Sequence, residues 1–308
     1  MKKTALLYIC LAGILWGTSG IFVHYLTPTG LTTVQLSAIR GTVSFIAMAT
    51  FAFIKDRSLF KRKPKELLAF FFVGLTLFLT ATCYYTAMTL TSVSTAVVLM
   101  YTAPVYVTVF SVAKLGEKVT PLKIASITAM LVGCCFVAGL IGGIKFDLIG
   151  ILIGIASGIT YAIYNIVTKI TIEKGSPAES VTVYGFLFMM IIAVAVSNPI
   201  EIIEIAAKEP LTTVPLMIGL GIFTFVLPYF LYTLSMRSLP AGTASALGII
   251  EPMAATIFSV ILFDEKLDVF SIIGIALILI ATVILAKCDS SEESKESSEK
   301  SEIYEEIN

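Results

Sequence analysis

The chain has 308 residues, 57% of them hydrophobic and 14% charged, with a mean hydropathy of +0.95. A soluble domain carries about 25% charged residues, so this composition excludes one. Lys plus Arg and Asp plus Glu both number 21, yet the segment Cys288 to Asn308 holds eight acids against Lys295 and Lys300, leaving the remainder at +6. Those cations fall in short clusters between apolar stretches, which speaks against a nucleic-acid surface.

Met1-Lys2-Lys3 followed by an apolar run from Ala5 imitates a signal peptide. No convincing small-x-small cleavage pattern follows and the run continues toward Leu26, so it reads as a first membrane span. A spanning helix takes about 20 apolar residues, and the chain divides into ten such stretches: 4–26, 31–54, 67–89, 92–113, 121–140, 148–168, 180–197, 211–236, 240–263 and 268–286. The expected fold class is an all-α polytopic membrane protein. Lys and Arg favour the cytoplasmic side. With the N-terminus inside, cytoplasmic segments hold 17 of them, six between Lys55 and Lys65, while outer loops hold Lys145, Lys208 and Lys266. Both termini are therefore expected in the cytoplasm. The Ser- and Glu-rich end, residues 288–308, has too few apolar residues to bury and reads as a disordered cytoplasmic tail.

A shift of 148 residues places Tyr84 on Tyr232, Thr95-Ala96 on Thr243-Ala244 and Pro104 on Pro252. The register continues without a gap through Thr108 on Thr256, Phe110-Ser111-Val112 on Phe258-Ser259-Val260 and Glu117-Lys118 on Glu265-Lys266. Gly13-x-x-x-Gly17 is echoed by Gly154-x-x-x-Gly158 at an offset of 141. The halves, 4–140 and 147–287, each hold five expected spans. An odd number makes them run in opposite senses across the membrane, an arrangement from which carriers build two access states around a site between the repeats.

Only Arg40 and Glu251 are charged inside spans and away from their ends. Counting about 1.5 Å per residue from the span ends sets both at ~13 to 17 Å depth, where an ionisable group faces a cavity or a partner. One reading is a fixed Arg40–Glu251 pair locking the halves together; the other is a role in handling substrate or protons. Pro104 and Pro252 lack the N–H that would bond Met100 and Gly248, so helix kinks with free acceptors are expected there. Trp16, Tyr101, Tyr161 and Tyr229 lie deep enough to line a cavity for a small organic molecule, whereas Tyr84 and Tyr85 near a span end also suit an interfacial belt. The Gly13/Gly17 and Gly150/Gly154/Gly158 series suit close helix packing.

His24 is the sole histidine and sits near an outer span end, which disfavours a His-based metal site or a Ser–His dyad. Cys10, Cys83, Cys134, Cys135 and Cys288 form no disulfide framework. No cofactor or metal is expected, and no Gly-x-x-x-x-Gly-Lys-Ser/Thr motif is present to hold nucleotide phosphates.

Ile14-Leu15-Trp16-Gly17, Tyr101-Thr102-Ala103-Pro104 through Gly116-Glu117-Lys118, and Ile250-Glu251-Pro252 through Asp264-Glu265-Lys266 resemble the EamA branch of the drug/metabolite transporter superfamily. The resemblance covers about residues 5 to 287. It implies a ten-helix inner-membrane carrier, with amino acids or other small metabolites as usual cargo and efflux as the usual direction. This sequence has a carboxylate beside Pro252 and none beside Pro104.

The expectation is a secondary transporter rather than an enzyme, working by alternating access on an amino acid or related zwitterion or amine. Trp16, Arg40, Tyr101, Tyr161, Tyr229 and Glu251 are its expected substrate contacts, and Glu251 its proton-coupling group. A carboxylate suits Arg40 and an amine suits Glu251 with the ring faces. The alternatives are a sugar or nucleotide-type carrier, and behind it an intramembrane enzyme or a channel. The expected partners are the lipid bilayer and a small-molecule substrate. The sequence leaves the oligomeric state open.

Overall fold

A computed structural model of the chain describes residues 2–91, 93–115, 120–138, 147–263 and 268–285. Among them the regular structure is helical throughout. Eight helices are long and apolar enough to cross a membrane: α1 Lys3–Thr29, α2 Thr33–Lys55, α3 Pro64–Leu90, α4 Thr95–Lys114, α6 Leu148–Glu173, α7 Ala178–Val196, α8 Pro210–Ser235 and α9 Ala241–Leu262. The other two expected spans appear as shorter apolar helices, α5 Pro121–Val137 and α10 Val269–Leu285. The Glu117-Lys118 and Glu265-Lys266 pairs and the acidic tail lie outside the described residues.

Helix starts follow local chemistry. Thr32 and Gln35 close a capping box at α2, Thr120 Oγ1 accepts from Lys123 N–H ahead of Pro121 at α5, and Asp147 Oδ1 accepts from Gly150 N–H at 2.7 Å to open α6. Gly175 ends the α6 turn with φ of +94°, a left-handed conformation that costs other residues a Cβ clash. α6 runs five residues past its expected end at 168. Lys169 there donates to the carbonyls of Met236 and Leu239, both at 3.0 Å, and pairs with Glu173 one turn on. A helix that hydropathy did not signal, Pro199–Lys208, follows the cap Asn198 and carries Ile205 into a small cluster with Leu26, Leu36 and Leu220. At ten residues it is too short to register as a span, though Asn198-Pro199 and Glu201 are start signals.

The helices cross between halves in matched pairs. α1 packs on α8 and α3 on α6; α1 packs on α9 and α4 on α6; α2 meets α7 and α4 meets α9. With little hydrophobic drive between helices in lipid, close approach depends on small residues. Gly13 and Gly17 lie against Ile250 and Ala254 of α9, Gly154 and Gly158 lie against Leu99 and Thr102 of α4, and Gly133 of α5 meets Gly274 of α10 backbone to backbone. A Cβ at Gly158 would sit 2.7 Å from the Leu99 carbonyl oxygen and 2.8 Å from Thr102 Oγ1, whereas one at Gly20 meets nothing within 4 Å. Gly158→Ala is therefore expected to destabilise the fold by about 1–3 kcal/mol and Gly20→Ala to be near neutral, as read by thermal unfolding of the purified proteins.

Candidate functional site

Four helices are interrupted at one level of the bundle. α1 has a turn at Thr18 between Lys2–Gly17 and Ser19–Leu26. α4 turns at Tyr101–Thr102 before Ala103–Phe110. α8 widens to a π-turn over Ile222–Val226 ahead of Pro228, and α9 turns at Gly248–Ile249 before Ile250–Phe263. Broken helices are tolerated at membrane depth where they line a cavity or are buried in protein, and here a cavity of about 400 Å³ lies among all four.

All six residues expected to touch substrate, Trp16, Arg40, Tyr101, Tyr161, Tyr229 and Glu251, line this cavity, as does Pro252. Pro104 does not line it; it is buried in the first turn of Ala103–Phe110. Both prolines stand in the first turn of the segment that follows an interruption of α4 or α9, and in a first turn a missing N–H costs nothing. The free acceptor expected at Gly248 is also absent, because its carbonyl takes the Glu251 N–H at 3.0 Å.

Arg40 and Glu251 share the cavity without pairing. Tyr101 Oη donates to Glu251 Oε2 at 2.5 Å, tying the broken helix of the first half to that of the second. Among the described residues no carboxylate lies within ion-pair distance of Arg40, which is 4% exposed. Its guanidinium carbon instead stands 5.2 Å from the centroid of the Tyr85 ring and 5.9 Å from that of Phe225. Such contacts are worth about 0.5–2 kcal/mol each, less than a buried cation loses on leaving water.

The rings form a continuous wall. Trp16 meets Tyr229 edge-on with centroids 5.0 Å apart, Tyr229 meets Phe225 at 4.6 Å, and Tyr161 stacks on Tyr164 at 6.0 Å. Beneath it Asn165 accepts from Tyr232 Oη and donates to the Tyr161 carbonyl at 2.7 Å. Tyr84 and Tyr85 line the cavity rather than sit only in a belt, and Thr80, Thr224 and Phe225 join them. The last three escaped the sequence reading because a Thr or Phe inside an apolar run carries no depth or partner signal. His24 lies exposed beside Tyr25, away from the cavity.

The cavity is displaced toward one face. Its α3 residues, Thr80 to Met88, lie near the Leu90 end, and its α9 residues, Glu251 to Ala255, lie past the middle from Ala241. The opposite face, where α2 ends at Lys55, is sealed. Glu179 at the start of α7 is 5% exposed and takes Lys55 Nζ at 2.9 Å together with Arg237 Nη2. Ser180 Oγ donates to Leu59 O at 2.9 Å, and Tyr184 Oη donates to Phe60 O at 2.8 Å.

The chain matches the EamA-like transporter family over residues 3–139 and 148–287. It belongs to that family. Similar proteins include an uncharacterized transporter of Archaeoglobus fulgidus, 29% identical with 90% of this chain and 94% of that one aligned. The uncharacterized transporter YwfM of Bacillus subtilis is 22% identical over 94% of this chain and 96% of its own. One from Clostridium kluyveri is 28% identical over 64% of this chain, which spans 65% of that relative. In a crystal structure of a protein with 18% identity, the fold agrees with a TM-score of 0.76 over 95% of this chain and 100% of that one. This EamA-family chain is a multi-pass membrane transporter.

The geometry sets an order of reactivity for cysteines introduced at the two levels. Ser19 is half-buried at the cavity and Ser245 is fully buried on the sealed side. With all five native cysteines replaced, Ser19→Cys is expected to react readily with a small polar maleimide in the purified carrier, and Ser245→Cys to remain unmodified until the protein unfolds.

Proposed function

We propose that this protein is a secondary carrier of the inner membrane that moves an amino acid or related zwitterion, outward in the cell, by alternating access. In this reading α5 and α10 also cross the bilayer, giving ten spans in two inverted five-helix repeats with both termini in the cytoplasm. The matched crossings between halves and the division of Lys and Arg support that topology. The observation that carries the reading is the placing of Arg40 from one half and Glu251 from the other around a single ring-lined cavity between broken helices. A zwitterion has a carboxylate for the guanidinium and an amine for Glu251, and its side chain meets the rings.

The Lys55 face is then cytoplasmic, and the present state is closed to it. Opening that face requires Glu179 to release Lys55 and Arg237, which lie on different halves. Glu179→Gln keeps the side-chain size and removes the charge. It is expected to raise the reactivity of Ser245→Cys toward reagent added from the Lys55 side in proteoliposomes, and to leave stability within about 1–3 kcal/mol of the parent. An unchanged reactivity rules Glu179 out as the latch.

Glu251 is the coupling group in this reading, taking a proton in one access state and giving it up in the other as its distance from Arg40 changes. Glu251→Gln fixes that position neutral. The variant is expected to exchange substrate for substrate across liposomes and to lose accumulation driven by a proton gradient. Accumulation at the parent level in Glu251→Gln would exclude Glu251 from coupling.

A further inference from the structure

The polar groups on the cavity wall are unequally provided for. Ser19 Oγ already donates to the Trp16 carbonyl at 2.6 Å, Thr224 Oγ1 to Leu220 O at 2.6 Å, and Thr80 Oγ1 to Thr160 Oγ1 at 3.0 Å. Glu251 already accepts from Tyr101. The cavity-lining side-chain nitrogens that are buried without a hydrogen-bond partner are Nε and Nη2 of Arg40 and Nε1 of Trp16, all donors, on residues 4% and 5% exposed. Unsatisfied buried donors, one group of them cationic, are a demand for an acceptor with negative charge. The rings of Tyr85 and Phe225 flank the guanidinium carbon and supply no acceptor in its plane, so the fork keeps its capacity for a bidentate contact.

We propose that the cavity is a monocarboxylate site. The Arg40 fork takes the ligand's carboxylate, Trp16 Nε1–H supplies a further donor, and an amine on the ligand is dispensable for binding in this access state. One guanidinium answers one negative charge; a phosphate monoester would bring nearly two into the same apolar wall. Among the described residues the one carboxylate lining the cavity already holds a donor, Tyr101 Oη on Glu251 Oε2, whereas the Arg40 fork holds no acceptor, so the ligand's carboxylate is the end whose loss costs more. This deepens the zwitterion reading above and rests on it, by assigning recognition to one end of the zwitterion.

The chain has one tryptophan, Trp16, and it lines the cavity, so its emission reports occupancy of the full-length carrier in detergent without a label. Two matched sets serve as probes: leucine, 4-methylpentanoate and 3-methylbutylamine; and phenylalanine, 3-phenylpropanoate and 2-phenylethylamine. The amino acid and the desamino acid of at least one set are expected to change Trp16 emission saturably. The corresponding amine is expected to bind at least about tenfold more weakly. Arg40→Met is expected to abolish the response to both acids, and Arg40→Lys to restore part of it. Equal or tighter binding of the amines, or no response to any carboxylate, overturns the proposal, and the parent protein alone decides this if Arg40→Met does not fold. Amines exchanging across liposomes without carboxylate binding would sink this assignment and leave the carrier standing, whereas no exchange of any solute would sink the carrier reading itself.

Discussion

Inside a bilayer there is no water to accept an unused peptide hydrogen bond, and each unpaired backbone group costs several kcal/mol. That constraint makes the long helices of this chain obligatory and makes their interruptions informative. The turns at Thr18, Tyr101–Thr102 and Gly248–Ile249 and the π-turn from Ile222 all fall around one cavity. Local pairing holds each break together. Thr102 Oγ1 donates to Leu99 O at 2.6 Å, Thr18 Oγ1 donates to Leu15 O at 2.7 Å, and Glu251 N–H donates to Gly248 O. Two further departures from regular helix, the 3-10 turn Thr27–Thr29 and the π-turn Ser111–Leu115, lie at the ends of α1 and α4 and do not line the cavity.

Close helix contact follows from the same absence of water. Lipid tails are as apolar as leucine, so burial alone does not pull helices together, and dispersion between well-fitted surfaces does. The glycines at 13, 17, 154 and 158 let α1 and α6 reach the backbones of α9 and α4. These contacts stand beside the broken segments, Gly158 against Leu99 and Met100, Gly13 against Ile250 and Glu251. The surfaces that hold the halves together are therefore the same ones that set the position of Tyr101 and Glu251. A small displacement at either crossing moves the Tyr101–Glu251 contact.

The two faces of the bundle differ in chemistry. On the Lys55 side a buried carboxylate gathers cations from two halves, and Lys169 caps the turn after α8. On the other side Gln35 Nε2 donates to Glu201 Oε2 at 2.8 Å, linking α2 to the short helix Pro199–Lys208. Among the described residues the ion pairs, in which both partners are charged, all lie on the Lys55 face, whereas the Gln35–Glu201 contact carries one charge. The weight of ionic bonding on one face accords with a cavity displaced toward the other.

The sequence by itself determined where the long helices run, because hydropathy summed over some twenty residues outweighs any local contact; α2 is expected over 31–54 and found over Thr33–Lys55. It also singled out Arg40 and Glu251, since a charge amid apolar residues is conspicuous without knowledge of its neighbours. Only the tertiary structure decided what each of them touches. Glu251 takes Tyr101, 150 positions earlier in the chain, and Arg40 takes two ring faces, leaving unmade the pair that their matching depths allowed. Depth along a span fixes one coordinate, while rotation about the helix axis is set by glycine contacts with helices from the other half. The cavity roles of Thr80, Thr224 and Phe225, and the helix at Pro199, were likewise out of reach of periodicity, for they depend on which faces meet and not on how apolar each stretch is.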